Sequence, residues 1–200
     1  MTRLVMIRHA TTAWNEKRRL QGHVDIALSP KGRAEAAEWR LPKEFSDSRW
    51  ISSPLLRAVQ TARALGARHL TCEPRLVEMD WGEWEGRTIE EMCLNDPIYT
   101  QEIESRGLDF SAPGGESPRQ IQKRLTPWLR EIAAQERKVI AVCHKGIVRA
   151  LFALAVGWDM IGHPPVNFDW AAAQLFNLNE DGLPKLERSN VTLSPTNDNL

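Results

Sequence analysis

Short apolar runs of strand type alternate with longer helical stretches along this chain, and that alternation constrains its fold more than any other feature. Leu4 to Ile7, Trp50 to Ser52, Leu70 to Cys72, Val139 to Cys143 and Gln174 to Leu178 read as strands. Between them, Ser29-Pro30 and Ser53-Pro54 each place an N-cap before an N1 proline, opening helices near 30 to 40 and 54 to 65; Gly66 stops the second. Thr88-Ile89-Glu90-Glu91 has capping-box spacing for a short helix. Ser117-Pro118 opens a longer one in which Ile121, Leu125, Trp128 and Ile132 form an apolar stripe, with Pro127 a candidate kink. A last apolar helix follows Lys145-Gly146 and ends at Gly157. Such alternation predicts an α/β fold, a three-layer α/β/α sandwich around a mostly parallel sheet. No repeat, low-complexity tract or Gly/Ser linker interrupts it, so residues 1–200 are expected to form one domain with a polar tail from Ser194 to Leu200.

Charge narrows the partners. Lysine plus arginine number 26, as do aspartate plus glutamate, so neither nucleic acid nor a membrane surface is an expected partner, and any anion must be met by a local site. Cys72, Cys93 and Cys143 are sparse, odd in number and without paired spacing, which suits a reducing compartment. The start lacks a signal-peptide pattern and no stretch approaches membrane-spanning length, so the expected location is cytoplasmic. In that compartment the sequon at Asn190-Val191-Thr192 carries no glycan.

Ligands of open α/β sheets bind outside the carboxyl ends of the strands. Arg8 and His9 follow the first strand, Ser53 to Arg57 the second, and His144 the run Val139 to Cys143, so separate segments bring cationic or titratable groups to one rim. Planar guanidinium groups bind phosphate oxygens by paired, charge-assisted hydrogen bonds, a role open to Arg8 and Arg57; Arg57 also lies in a helix's first turn, where the dipole favours an anion. Taken alone, each is equally a solvated arginine. An imidazole has an ordinary pKa of about 6.5, which two arginines would lower, leaving His9 neutral and able to attack phosphorus. His144 has a complementary use, stabilising charge on a transferring phosphoryl group. The segment Glu78-Met79-Asp80-Trp81-Gly82-Glu83-Trp84-Glu85-Gly86 offers carboxyls among aromatic residues, a setting that raises a carboxyl pKa toward that of a general acid; the plainer reading is an acidic surface loop.

Arg8-His9-Ala10-Thr11-Thr12-Ala13-Trp14-Asn15 resembles the Arg-His-Gly-x-Thr-x-x-Asn signature of the histidine phosphatase superfamily, in the branch of phosphoglycerate mutase-like enzymes. The segment Ser52 to Ala62 is similar to that family's second-arginine segment, Glu78 to Gly86 to its acid loop, and Pro113-Gly114-Gly115-Glu116-Ser117 and Cys143-His144-Lys145-Gly146 complete the order. The resemblance implies a phosphoglycerate mutase-like fold and hydrolysis of a small-molecule phosphomonoester with no cofactor or metal. It implies that His9 becomes a transient phosphohistidine, that Glu78 donates the leaving-group proton and then activates water, and that Arg8, Arg57 and His144 hold the phosphoryl oxygens. Asn15 would add a neutral hydrogen bond, and Gln21, Gly22 and His23 would form a substrate-side loop. A homodimer is one state compatible with this picture.

Two positions depart from the pattern: Ala10 replaces a glycine, at a cost of roughly 1 kcal/mol if that residue needs a positive φ, and Lys145 stands where a second glycine is usual. Four other readings remain open. Phosphoglycerate mutase-type transfer stays within the family, although the connection Arg87 to Ala112 is short for it. Cys143-x-x-Gly146-x-x-Arg149 has the spacing of a cysteine-dependent phosphatase loop. A non-catalytic phosphate-binding module would need the arginines but not both a nucleophile and an acid. A metal-dependent hydrolase would draw ligands from His23-x-Asp25 and Glu78-x-Asp80.

Overall fold

A computed structural model describes residues 1–95, 105–135 and 137–193, without the side chains of Cys93 and Asn95; the expected polar tail lies outside the described residues. Six strands, β1 (Thr2–Arg8), β2 (Arg49–Ser52), β3 (Leu70–Cys72), β4 (Val139–Cys143), β5 (Ala172–Leu178) and β6 (Pro184–Thr192), form one sheet in the order β3-β2-β4-β1-β5-β6. The pairs β3/β2, β2/β4 and β4/β1 are parallel, while β5 runs antiparallel to both β1 and β6. The described helices are α1 (Ala13–Glu16), α2 (Pro30–Glu38), α3 (Leu56–Ala64), α4 (Ile89–Asn95), α5 (Pro118–Ala133) and α6 (Lys145–Val156).

Alternation along the central strands builds two cores. Leu4 and Met6 of β1 and Val139, Ala141 and Cys143 of β4 pack on one face with Ile121, Leu125, Trp128 and Ile132 of α5 and Leu151 and Phe152 of α6. Val5 and Ile7, with Ile140 and Val142, pack on the other face against Ala36 of α2 and Ala58 and Ala62 of α3. The sheet is thus buried between two helical layers, and its central strands read as continuous apolar runs for that reason. None of the described helices is long and apolar enough to cross a membrane.

Several local expectations change. Strand β6 was not expected: it is an edge strand bearing Lys185, Glu187 and Arg188, so it has no apolar signature, and it is tied to β5 through a turn closed by Gly182 N–H to the Asn179 carbonyl at 3.0 Å. Helix α3 starts at Leu56 and is capped at Leu55, not Ser53, because the Ser53 hydroxyl is drawn to His144. Helix α5, as expected, opens at the Ser117/Gln120 capping box, and Pro127 lies within its span.

Helix α2 is seated directly on the loop after β1. A Cβ added to Gly32 would stand 1.8 Å from the Thr11 carbonyl oxygen, while Glu35 of the same helix accepts from the Thr11 N–H at 3.1 Å and its hydroxyl at 2.8 Å. Only glycine allows that approach. Gly32→Ala is therefore expected to lower stability by roughly 1–3 kcal/mol in urea denaturation and to reduce the ordering of the loop after β1; a change below about 0.5 kcal/mol would show that the seat is not tight.

Candidate active site

The carboxyl ends of β1, β2 and β4 are drawn together by backbone bonds that continue past the strands: His9 N–H to the Cys143 carbonyl and Ser53 N–H to the Val142 carbonyl, both 2.9 Å. Because Arg8 pairs in register with Cys143, His9 and His144 leave adjacent strands side by side, and their rings stand 5.2 Å apart, tilted by 60°. Arg57, in the first turn of α3, is wholly buried; its Nη1 donates to the Val24 carbonyl at 3.0 Å and its Nη2 to the Gly22 carbonyl at 2.7 Å. Gly22 is the close-packed member of that loop, since a Cβ there would meet the Met79 carbonyl at 3.0 Å.

Glu78 is buried opposite these groups. Its Oε1 accepts from Met79 N–H at 2.8 Å and its Oε2 from Gly146 N–H at 3.1 Å, a contact that a Cβ at position 146, 2.5 Å from Oε1, would block. The acid loop is braced from behind. Arg124 of α5 donates to the carbonyls of Arg75, Val77 and Glu78 and pairs with Glu116 at 2.7 Å, while Glu116 N–H donates to the Asp80 carbonyl at 2.9 Å. This is the work of the Gly114-Gly115-Glu116 segment: a Cβ on Gly115 would stand 2.6 Å from the Asp80 carbonyl oxygen.

Electrostatics follow from burial. Burial first, then Arg8 and Arg57, pulls the His9 pKa well below its ordinary value; burial followed by Arg57, His9 and Arg8 does the same to His144. Burial pushes the Glu78 carboxyl up, opposed by the N–H groups of Met79 and Gly146 and by both arginines. Both imidazoles are therefore neutral at pH 7, and the carboxyl holds its proton to a higher pH than an exposed glutamate does. His9 Nδ1 lies 2.7 Å from the Ala10 carbonyl, so Nδ1 carries the ring proton and Nε2 the lone pair. The Ser53 hydroxyl, which accepts from Leu55 N–H at 3.3 Å, is 2.8 Å from His144 Nε2; donating to it, Ser53 leaves the His144 proton on Nδ1.

Among the described residues, the buried side-chain polar atoms without a protein hydrogen-bond partner are Arg8 Nε, Gln21 Nε2, Ser48 Oγ, Arg57 Nε and His144 Nδ1. Four of these five belong to residues singled out from the sequence; Arg8 Nε, Gln21 Nε2 and Arg57 Nε are donors, and His144 Nδ1 is one in the tautomer in which Ser53 donates to Nε2. Buried donors are ordinarily satisfied, so their concentration here fits an acceptor-rich, anionic ligand.

The remaining sequence candidates are placed less directly. Asn15 spends its Oδ1 on the Thr12 N–H and hydroxyl, both at 3.1 Å, completing the capping box of α1; Gln21 Oε1 meets the same hydroxyl at 3.1 Å. His23 Nε2 lies 2.9 Å from the Glu78 carbonyl and Asp25 accepts from Leu56 N–H at 2.7 Å, so both have structural partners in the loops. Ala10 does not have a positive φ, and its substitution for glycine carries no backbone cost; its N–H donates to Thr61 at 3.0 Å. The cysteine-dependent reading does not fit. Cys143 is fully buried in the core, and burial, reinforced by Glu78, pushes its thiol far from the thiolate form. Ser53, Thr61 and Arg124 were missed as contributors; a hydroxyl at a strand's carboxyl end was the available signal for Ser53, whereas nothing local marks the other two. A cavity of about 520 Å³ bounded by His23, Asp80, Gly114, Glu116 and Arg124 lies behind the acid loop and includes none of the five groups Arg8, His9, Arg57, Glu78 and His144.

Comparison with known proteins agrees with this geometry. The chain is 33% identical over 162 residues to phosphoglycerate mutase-like protein 4 of Arabidopsis thaliana, covering 76% of this chain and 70% of that protein. It is 34% identical over 179 residues to a glucosyl-3-phosphoglycerate phosphatase of Mycolicibacterium vanbaalenii, covering 80% and 79%. The solved structure of an Entamoeba histolytica phosphoserine phosphatase in complex with 3-phosphoglyceric acid superposes with a TM-score of 0.79 at 27% identity, over 96% of this chain and 98% of that one. Residues 4–192 match the sequence model of the histidine phosphatase superfamily (branch 1), and the chain belongs to that family.

Proposed function

We propose that this protein hydrolyses a small phosphorylated metabolite through a phosphohistidine formed on His9, without a metal. Phosphomonoesterase activity is supported by the family and by relatives that are named as phosphatases. The single observation that carries the residue-level reading is the set of buried, unpartnered donors Arg8 Nε, Arg57 Nε and His144 Nδ1 beside a neutral imidazole whose lone pair is on Nε2. A binding module would have use for the donors, but not for a free nucleophile beside a buried carboxyl whose pKa burial has raised.

In the first step His9 Nε2 attacks phosphorus, the bond to the leaving oxygen breaks, and Glu78 passes its proton to that oxygen. Arg8, Arg57 and His144 hold the equatorial oxygens as their charge redistributes. The Ala10 carbonyl, already bonded to Nδ1–H, stabilises the positive charge that the ring acquires. In the second step the Glu78 carboxylate takes a proton from water, the new hydroxyl attacks phosphorus, the P–N bond breaks, and Glu78 is again protonated. The cationic charge that a metal would supply is supplied by the two guanidinium groups.

His9→Ala is expected to lower phosphomonoester hydrolysis by more than about 10³-fold and to abolish acid-labile labelling by a radioactive phosphodonor. Retention of both in the variant would remove His9 as the nucleophile. Release of inorganic phosphate, not an isomerised ester, separates hydrolysis from mutase transfer in the same assay.

The pH profile follows from the two shifted groups. His9 must be neutral and is pulled below about 6.5, so the acid limb of kcat/KM lies below the ordinary histidine range; Glu78 must be protonated and is pushed above its ordinary value, so it sets the alkaline limb. Glu78→Gln is expected to lose the alkaline limb, to slow alkyl phosphate hydrolysis by roughly 10²–10⁴-fold, and to release a burst of nitrophenol from p-nitrophenyl phosphate before slow turnover. Wild-type turnover with an unchanged alkaline limb would assign the acid elsewhere.

A further inference from the structure

Lys145 occupies a position that the phosphoryl chemistry does not use. It is the first residue of α6, between His144 and the Gly146 N–H that holds Glu78, and its ammonium is near enough to Arg8 and Glu78 to feel both charges. Its ammonium lies 5.3 Å from the centre of the Trp170 ring, and the Arg8 guanidinium lies 5.8 Å from the same ring. The indole is fixed in turn: Trp170 stacks on Phe168 at 4.9 Å, and Phe168 meets Phe152 edge-on at 4.9 Å. An aromatic platform thus places a charge that would otherwise move freely in solvent.

Arg149, one turn further along α6, lies over the Trp158 ring at 5.3 Å. Neither Lys145 nor Arg149 has a hydrogen bond or ion pair with any described residue, whereas Arg75, Arg119, Arg124, Lys138 and Arg188 are each matched with a carboxylate within 3.0 Å. Burial first, then proximity to Arg149 and Arg8, works against the Lys145 charge, with Glu78 favouring it. In the proposed first step, where Glu78 enters carrying the proton it gives to the leaving oxygen, a phosphate ester's two negative charges at neutral pH balance Arg8 and Arg57, and the charges of Lys145 and Arg149 are left over.

We infer that Lys145, supported by Arg149, binds a second anionic group on the alcohol portion of the substrate, so that the enzyme selects phosphate esters carrying a carboxylate or a further phosphate a few bonds from the scissile oxygen. This rests on the phosphatase reading above, which places the leaving alcohol beside Glu78. The charge excess of a chain that is neutral as a whole is thereby directed at the part of the substrate that differs between esters.

The test compares kcat/KM for propyl phosphate, 3-phosphonooxypropanoate and propane-1,3-diol bisphosphate in the wild type, Lys145→Met, Lys145→Arg and Arg149→Gln. The wild type is expected to favour at least one charged ester over propyl phosphate by roughly tenfold or more; that ratio falls toward one in Lys145→Met, is largely kept in Lys145→Arg and is weakened in Arg149→Gln. Whichever charged ester holds the advantage identifies the second anion as carboxylate or phosphate. A wild type that hydrolyses propyl phosphate in a His9-dependent manner but shows no preference, or a preference that persists in Lys145→Met, overturns this inference and leaves the phosphatase reading standing. A wild type that hydrolyses none of the three esters overturns both.

Discussion

Buried guanidinium groups without carboxylate partners set the terms for the rest of the site. Removing a charge from water costs several kcal/mol even after the protein relaxes, and that cost is normally offset by an opposite charge. Arg57, with no exposed surface, has only the carbonyls of Gly22 and Val24, and Arg8 has the face of Trp170. The nearby carboxyl, Glu78, is itself pushed toward neutrality by burial. Burial first, and the arginine charges after it, hold His9 and His144 uncharged. Burial thus shifts the imidazoles and the carboxyl in opposite directions, while the guanidinium charges add to the shift of the first and oppose that of the second. In the proposed reaction the ester's oxygens take up the unpartnered donors.

Such a distribution is tolerable only because the scaffold leaves the groups no alternative positions. Three parallel strands end together, and the carbonyls of Val142 and Cys143 at the end of β4 tie down the backbone of Ser53 and His9. Helix α2 presses through Gly32 on the loop after β1, and Arg124 with the Gly114-Gly115-Glu116 segment fixes the loop bearing Glu78. Small residues recur where backbone must approach backbone or carboxylate, at Gly22, Gly32, Gly115 and Gly146. Each approach fixes a loop or side chain that bears on one of the candidate site residues.

Elements that bury both faces were the most legible in the sequence. β1 and β4 are central, so their uninterrupted apolar runs mark them, and the Ser29-Pro30, Ser117-Pro118 and Gly157 signals bound their helices because capping is local chemistry. Legibility fails where tertiary contacts decide. β6 lies at an edge and carries charge, so no periodicity distinguishes it from a loop. Ser53 has the form of a cap, yet its hydroxyl turns to a histidine 91 residues away. At the site, the ordered segments bearing Arg8, His9, Arg57, Glu78 and His144 could be picked out because strand ends and helix starts are visible. The residues that hold them, Thr61, Arg124 and Trp170, could not, since their roles depend on which loops meet across the fold.

The charge state of His9 is the point at which this account is most exposed. Nitrogen-15 NMR of the imidazole rings, with the His9 signals assigned by their loss in His9→Ala, reads protonation and tautomer directly. The account predicts a neutral ring at pH 6, its proton on Nδ1 and its lone pair on Nε2. A ring already doubly protonated at that pH, or one carrying its proton on Nε2, would contradict it.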